Sequence, residues 1–207
     1  MKKLIAGGVL VASSFVSVTA PALAELSANV GFASEYYYRG ILQKETSGSA
    51  GVDFETGGFY AGTWAADVGD GLEVDGYFGY GIDVGEVNLS AGFTGYYYTG
   101  DFDDTYEEVN LNASWRFISV GYSVGEWDGD GGQDYDFLEV TLEHNGFYGT
   151  YGTFGDEFDG EYFQLGYGTE VGGFDVGVAA IFSSKELSDQ DGESEALVFT
   201  IGKSFDL

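Results

Sequence analysis

Asp53 and Glu55, then Glu73, Asp75 and Asp83, then Glu139 and Glu143, are separated by even numbers of residues. On an extended chain that spacing puts each group on one face. Glu108, Glu170 and Asp175 fall on the polar side of similar segments. A water-filled space lined this way concentrates cations and repels anions. Arg39 and Arg116 are the basic residues placed to answer these carboxylates. Glu35 and Arg39, four apart, are expected either to form an ion pair that holds a first loop or to stand as a solvated surface pair. The chemistry implied is attraction of ions rather than bond making. There is no cysteine, so thiol nucleophiles and thiolate metal sites are excluded. His144, beside Asn145-Gly146, reads as a rim residue rather than a catalytic base, and no enzyme is expected.

The segments that carry these residues alternate. Val87-Asn88-Leu89-Ser90-Ala91-Gly92-Phe93-Thr94 has the period of two of a strand with one dry and one wet face. Leu72-Val74-Gly76-Phe78-Tyr80-Ile82 and Val109-Leu111-Ala113-Trp115-Phe117 form further apolar faces. Phe59–Val68 is ambiguous, with small or aromatic residues on both faces. Tight turns are expected at Thr56-Gly57-Gly58, Val84-Gly85-Glu86, Phe117-Ile118, Asn145-Gly146 and Gly172-Gly173, mostly from their Asn-Gly and Gly-Gly pairs. Polar loops are expected at Arg39–Ser47, Gly69–Gly71, Thr99–Thr105, Glu126–Asp134, Gly155–Gly160 and Ser183–Glu195. Together they predict an all-β chain: a transmembrane, antiparallel, up-and-down β-barrel of about 12 strands. Closure pairs every backbone group, which lipid requires. Aromatics near the strand ends, among them Tyr36–Tyr38, Tyr96–Tyr98, Phe59, Phe147 and Tyr162, are expected to form two interfacial girdles.

Both ends of the chain agree. Residues 1–24 read as a cleaved signal peptide, with Lys2-Lys3, an apolar stretch and Ala22-Leu23-Ala24 as the cleavage site. Residues 25–207 form the barrel domain. The terminal Thr200-Ile201-Gly202-Lys203-Ser204-Phe205-Asp206-Leu207 resembles the assembly signal of outer-membrane barrels through Gly202, Phe205 and Leu207. The barrel-assembly machinery is therefore an expected partner, with outer-membrane lipid and lipopolysaccharide around the barrel and both termini in the periplasm.

Composition narrows the reading. With 35 acidic and 7 basic residues the net charge is −28, which excludes nucleic acid as a partner. Aromatic residues at 17% argue against disorder. One proline and 35 glycines suit long hydrogen-bonded strands with crowded walls. Small inward residues, Gly31, Gly51, Gly79, Gly81, Ser90, Gly92 and Gly121, predict open space inside, with Tyr77, Tyr96 and Tyr98 able to refill it.

The run Ser27-Ala28-Asn29-Val30-Gly31-Phe32-Ala33-Ser34-Glu35-Tyr36-Tyr37-Tyr38-Arg39-Gly40-Ile41 resembles the opening of the TorF family of porins, a Gcw_chp type of proteobacterial outer-membrane protein. In that family an acidic-Tyr-x-x-Arg-Gly segment follows the first strand. Gly58–Ala65 and Leu72–Asp75 resemble the next hairpin, and the likeness covers roughly residues 26–98. It implies an outer-membrane barrel with a pore, and brings no catalytic residue or substrate.

Two functions follow. The first is passive diffusion of small polar or cationic solutes through an acidic lumen. The second is a non-conducting barrel with a structural, adhesive or partner-binding role through its acidic loops. No cofactor is expected. Asp128, Asp130 and Asp134, and Asp189, Asp191 and Glu193, are spaced so that their loops could hold calcium or magnesium weakly, without completing an EF-hand.

Overall fold

The computed structural model describes residues 24–188 and 192–207. The expected signal peptide and two loop carboxylates, Asp189 and Asp191, lie outside the described residues. Twelve antiparallel strands close into a barrel. In chain order these are β1 (Glu25–Ala33), β4 (Ser47–Thr56), β5 (Phe59–Gly69), β6 (Gly71–Val84), β7 (Val87–Tyr98) and β8 (Tyr106–Trp115). They continue as β9 (Ile118–Trp127), β10 (Gln133–His144), β11 (Phe147–Asp156), β12 (Glu161–Val171), β13 (Phe174–Ser183) and β14 (Ser194–Asp206). Strands β2 (Tyr36–Tyr38) and β3 (Ile41–Lys44) form a separate hairpin. The ring closes through β1, which pairs with β14 from Ser27↔Asp206 to Ala33↔Thr200, and with β4 from Glu25↔Glu55 to Ala33↔Ser47.

Short turns gather at one end of the barrel. Gly57-Gly58, Asn145-Gly146 and Gly172-Gly173 hold positive φ at both residues, the geometry that matches the twist of the strands they join. Gly85-Glu86 is the fourth turn. The fifth lies at Arg116-Phe117, one residue before the expected Phe117-Ile118, with Arg116 in the left-handed region at φ 57°. The other end carries the longer connections, and Gly69-Asp70-Gly71 is the tight one among them. Both termini of the barrel lie at the turn end, beside Glu55 and the Gly57-Gly58 turn.

Alternation settles the faces. Val30, Phe78, Ile82, Val109, Leu111, Val124, Leu142, Leu165 and Phe199 point outward and are exposed, while Glu73, Asp75, Glu108, Glu139 and Gln164 point inward and are buried. A one-residue slip of β6 would turn Glu73, Asp75 and Asp83 outward in exchange for its apolar face. The inward glycines are expected to leave free space that tyrosines could refill. In the structure Gly62, Gly79, Gly92, Gly152 and Gly166 receive tyrosine rings from nearby strands, while Gly51 meets Asn29 and Trp64 and Gly121 meets Asn112. A Cβ on Gly62 would meet the Tyr77 ring at 2.5–2.7 Å, and Gly79 and Gly92 lie under Tyr60. The small residues thus make room for inward aromatics that pack flat on the wall.

Candidate functional site

The bore of the barrel gathers the polar chemistry of the chain, and the element that organises it is the β2–β3 hairpin. After β1, the chain turns at Ser34-Glu35 and folds inward instead of outward. Tyr36 donates to Glu73 Oε1 on β6 at 2.6 Å, and its ring meets Trp64 of β5 edge-on. Tyr38 donates to Tyr96 on β7 at 2.7 Å. Arg39 reaches Glu108 on β8 with two bonds of 2.8 Å, Ser123 on β9 at 3.1 Å, and lies 4.2 Å from the ring centroid of Phe137 on β10. Gly40 sits at φ 81° with Tyr162 of β12 so close that a Cβ would stand 2.6 Å from it, and its carbonyl accepts from Ser183 of β13 at 2.5 Å. Lys44 pairs with Asp67 of β5. The hairpin therefore touches the wall from β5 round to β13 and lies across the bore.

Only Gly fits position 40, because a side chain there is both strained and blocked by Tyr162. A second loop seals the contact. The turn at Lys185–Leu187 buries Leu187 in a cluster with Phe137, Tyr162, Ile181 and Val198, against which Tyr37 and Ile41 pack.

The consequence is a bore with two different halves. At the hairpin layer Glu73 and Glu108 keep 1% of their surface and Asp75 keeps 2%, so they are almost entirely shielded from water. Glu108 accepts from Arg39, Tyr96, Tyr135 and Asn110, and Glu73 from Tyr36 and Tyr98. Asp75 Oδ1 is buried without a hydrogen-bond partner. Towards the turns the lining opens. Asp53, which accepts from Asn29 and Tyr77, is half-buried with Glu55 and Asp175, and Asp83, Glu143 and Glu170 are exposed. Glu139 is buried and accepts from Tyr162 at 2.7 Å.

A model described as "Bacterial protein of unknown function (Gcw_chp)" matches residues 18–204. The chain belongs to this family. No curated protein matches the sequence of this Gcw_chp chain. A solved structure described as "Unveiling the Mechanism Behind the in-meso Crystallization of Membrane Proteins" is similar at a TM-score of 0.58 and 7% identity, covering 88% of this chain and 84% of the other. It shares the fold. Also similar are Pseudomonas aeruginosa OccK2 (OpdF) in complex with glucuronate, at 13% identity and TM-score 0.45, and a BenF-like porin from Pseudomonas fluorescens Pf-5, at 9% and 0.42. They match 79% and 84% of this chain, which spans 59% of the length of either porin.

Several sequence expectations need correction in this Gcw_chp barrel. Arg39 pairs with Glu108 and not with Glu35, because the loop that carries it folds into the bore and meets a buried carboxylate of the wall. Arg116 is not a lumen residue. It caps the turn between β8 and β9, pairs with Glu86 at 3.0 Å and lies over the Trp115 ring. Asp128, Asp130 and Asp134 do not form a metal-holding group among the described residues, whereas Asp189 and Asp191, the partners of Glu193, lie outside them. Asp130 takes φ 49° in a short 3₁₀ turn at Gly129–Gly131 and points to solvent.

Tyr36, Tyr96 and Tyr162 are buried inside the bore rather than in an interfacial girdle, whereas Tyr97, Phe59 and Phe147 do face outward. Gly202 pairs with Gly31, Phe205 with Ala28, and the Leu207 N–H donates to the Leu26 carbonyl, so the terminal segment completes the β1–β14 seam. Sequence reasoning missed Ser123, Tyr135 and Phe137 around Arg39. Their signal was inward parity alone, and nothing in a linear pattern marks which loop residue they meet.

Proposed function

We propose that this protein is an outer-membrane channel of the porin type, as its resemblance to the TorF family implies, for small hydrophilic solutes with cations favoured. Its bore is closed in the described conformation by the first-loop hairpin. The observation that carries this reading is the hairpin itself, a short polar-tipped element laid across the bore above a water-accessible acidic vestibule. A barrel built only to display loops needs no such vestibule. Asp53, Glu55, Asp83, Glu143, Glu170 and Asp175 lining it, and Glu73 and Asp75 beneath the hairpin, favour cations over anions. In this reading the turns and termini face the periplasm, the loops face outward among lipopolysaccharide, and Gly202, Phe205 and Leu207 are offered to the assembly machinery.

The second reading, a barrel that does not conduct, is favoured by one observation, the near-total burial of Glu73, Asp75 and Glu108. Planar-bilayer recording under a salt gradient separates the two. The channel reading expects infrequent discrete steps from the refolded wild type, with a cation-selective reversal potential. It also expects steady current once residues 36–44 are replaced by a short Gly-Ser link. Ala33 and Ser47 already face each other across β1 and β4, so the link spans a small gap. No current from that variant, with heat-modifiable gel mobility proving it folded, would leave the non-conducting barrel as the function.

A further inference from the structure

Arg39 is held as a ligand is held. Its guanidinium meets Glu108 through two parallel bonds of 2.8 Å, donates to Ser123 Oγ at 3.1 Å, and lies 4.2 Å and 4.9 Å from the ring centroids of Phe137 and Tyr38. A fork of N–H bonds to one carboxylate with aromatic faces alongside matches a planar delocalised cation, and an ammonium or a metal ion fills it poorly. The receiving group is fixed independently of the hairpin, since Tyr96 and Tyr135 donate to Glu108 at 2.8 and 2.9 Å from strands of the wall. Tyr38 alone among these groups belongs to the hairpin. Arg39 neutralises Glu108, while Asp75, which faces Tyr96 across β6 and β7, adds an unpartnered carboxylate oxygen to the same layer. When the hairpin withdraws, the wall keeps a preorganised acceptor for a guanidinium group inside the bore.

We propose that Glu108, Ser123 and Phe137 form a guanidinium-recognition site inside the barrel, that the chain's own Arg39 occupies it when the bore is closed, and that small guanidinium-bearing cations are the solutes the open bore prefers. Recognition stands on the geometry of the cage, and permeation rests on the channel reading above. The tethered Arg39 competes at high effective concentration, so the site is tested with that side chain removed.

The full chain carrying Arg39→Ala is refolded in detergent, and its unfolding temperature is followed against guanidinium chloride, with tetramethylammonium chloride and sodium chloride as controls. A saturable rise is expected with guanidinium alone, half complete at about 1 mM, the scale of one caged cation. The rise is expected to vanish in the Arg39→Ala/Glu108→Gln double variant. Where Arg39→Ala refolds poorly, the refolded yield becomes the readout, restored by guanidinium and not by tetramethylammonium. A folded Arg39→Ala barrel that guanidinium does not stabilise, or that both cations stabilise equally, overturns the site whatever the conductance. In bilayers the same variant is expected to pass methylguanidinium more readily than methylammonium. Stabilisation without current in any variant would overturn the permeant class and the channel reading together and leave the binding site standing. Current without discrimination would overturn the permeant class and spare the channel.

Discussion

The loop half and the turn half of the bore are built from the same strands, yet their interiors differ. In the loop half Glu73, Glu108 and Glu139 are buried and each is answered by a tyrosine or by Arg39, while Asp75 is buried with Oδ1 unpartnered. In the turn half Asp53 and Glu55 stay half-buried, and Asp83 and Glu143 remain in water. The wall supplies carboxylates to both. What separates them is a nine-residue insertion, residues 36–44, that brings its own hydrogen-bond donors into one half only. A twelve-stranded barrel is wide enough to need such a filler and narrow enough for one hairpin to span it.

Several measurements break or sharpen this contrast. The largest effect is expected from replacing residues 36–44 with a short link, which makes the two halves alike. Steady single-channel current should replace rare openings, and Glu73 and Glu108 should become accessible to water-soluble carboxyl reagents.

Arg39→Ala comes next, because it leaves Glu108 buried and uncompensated. A loss of about 3–5 kcal/mol is expected for a broken buried pair, read as a lower urea midpoint of the refolded barrel. Arg39→Ala with Glu108→Gln should recover part of that loss, and a double-mutant cycle gives the coupling. Additive effects would deny that the two residues act as a pair.

Filling the space that Tyr60 occupies, by Gly79→Val, should cost about 1–3 kcal/mol through overpacking of the wall. A neutral result would mean that this lining is looser than its geometry indicates.

Glu73→Gln with Asp75→Asn should move the reversal potential towards zero while leaving the hairpin seated, since Tyr36 can still donate to the amide oxygen. The smallest effect is expected at the turn end. Arg116 and Glu86 are both mostly exposed, and Glu86→Ala should change stability by less than about 1 kcal/mol.

Much of the barrel was legible in the residues. The period of two placed Leu72, Phe78 and Ile82 on the outer face and Glu73, Asp75 and Glu108 within, because register and pleat leave no third option. Asn145-Gly146, Gly57-Gly58 and Gly172-Gly173 marked their turns, since few other pairs tolerate two positive φ values. The Arg116-Phe117 turn was harder to place because a non-glycine residue takes the left-handed conformation there.

The sequence by itself determined the approximate number of strands, the faces and the acidic character of the bore, since these follow from local alternation and turn chemistry. Only the tertiary structure decided where the first loop goes. Glu35 and Arg39 are neighbours along the chain, and proximity in sequence favours that pair. Glu108, 69 residues away, prevails because it is a buried carboxylate whose charge needs a partner out of water, and Arg39 is the cation that the folded hairpin delivers to it. The same long-range fit made Gly62, Gly79, Gly92, Gly152 and Gly166 seats for tyrosine rings, which no local pattern distinguishes from empty space.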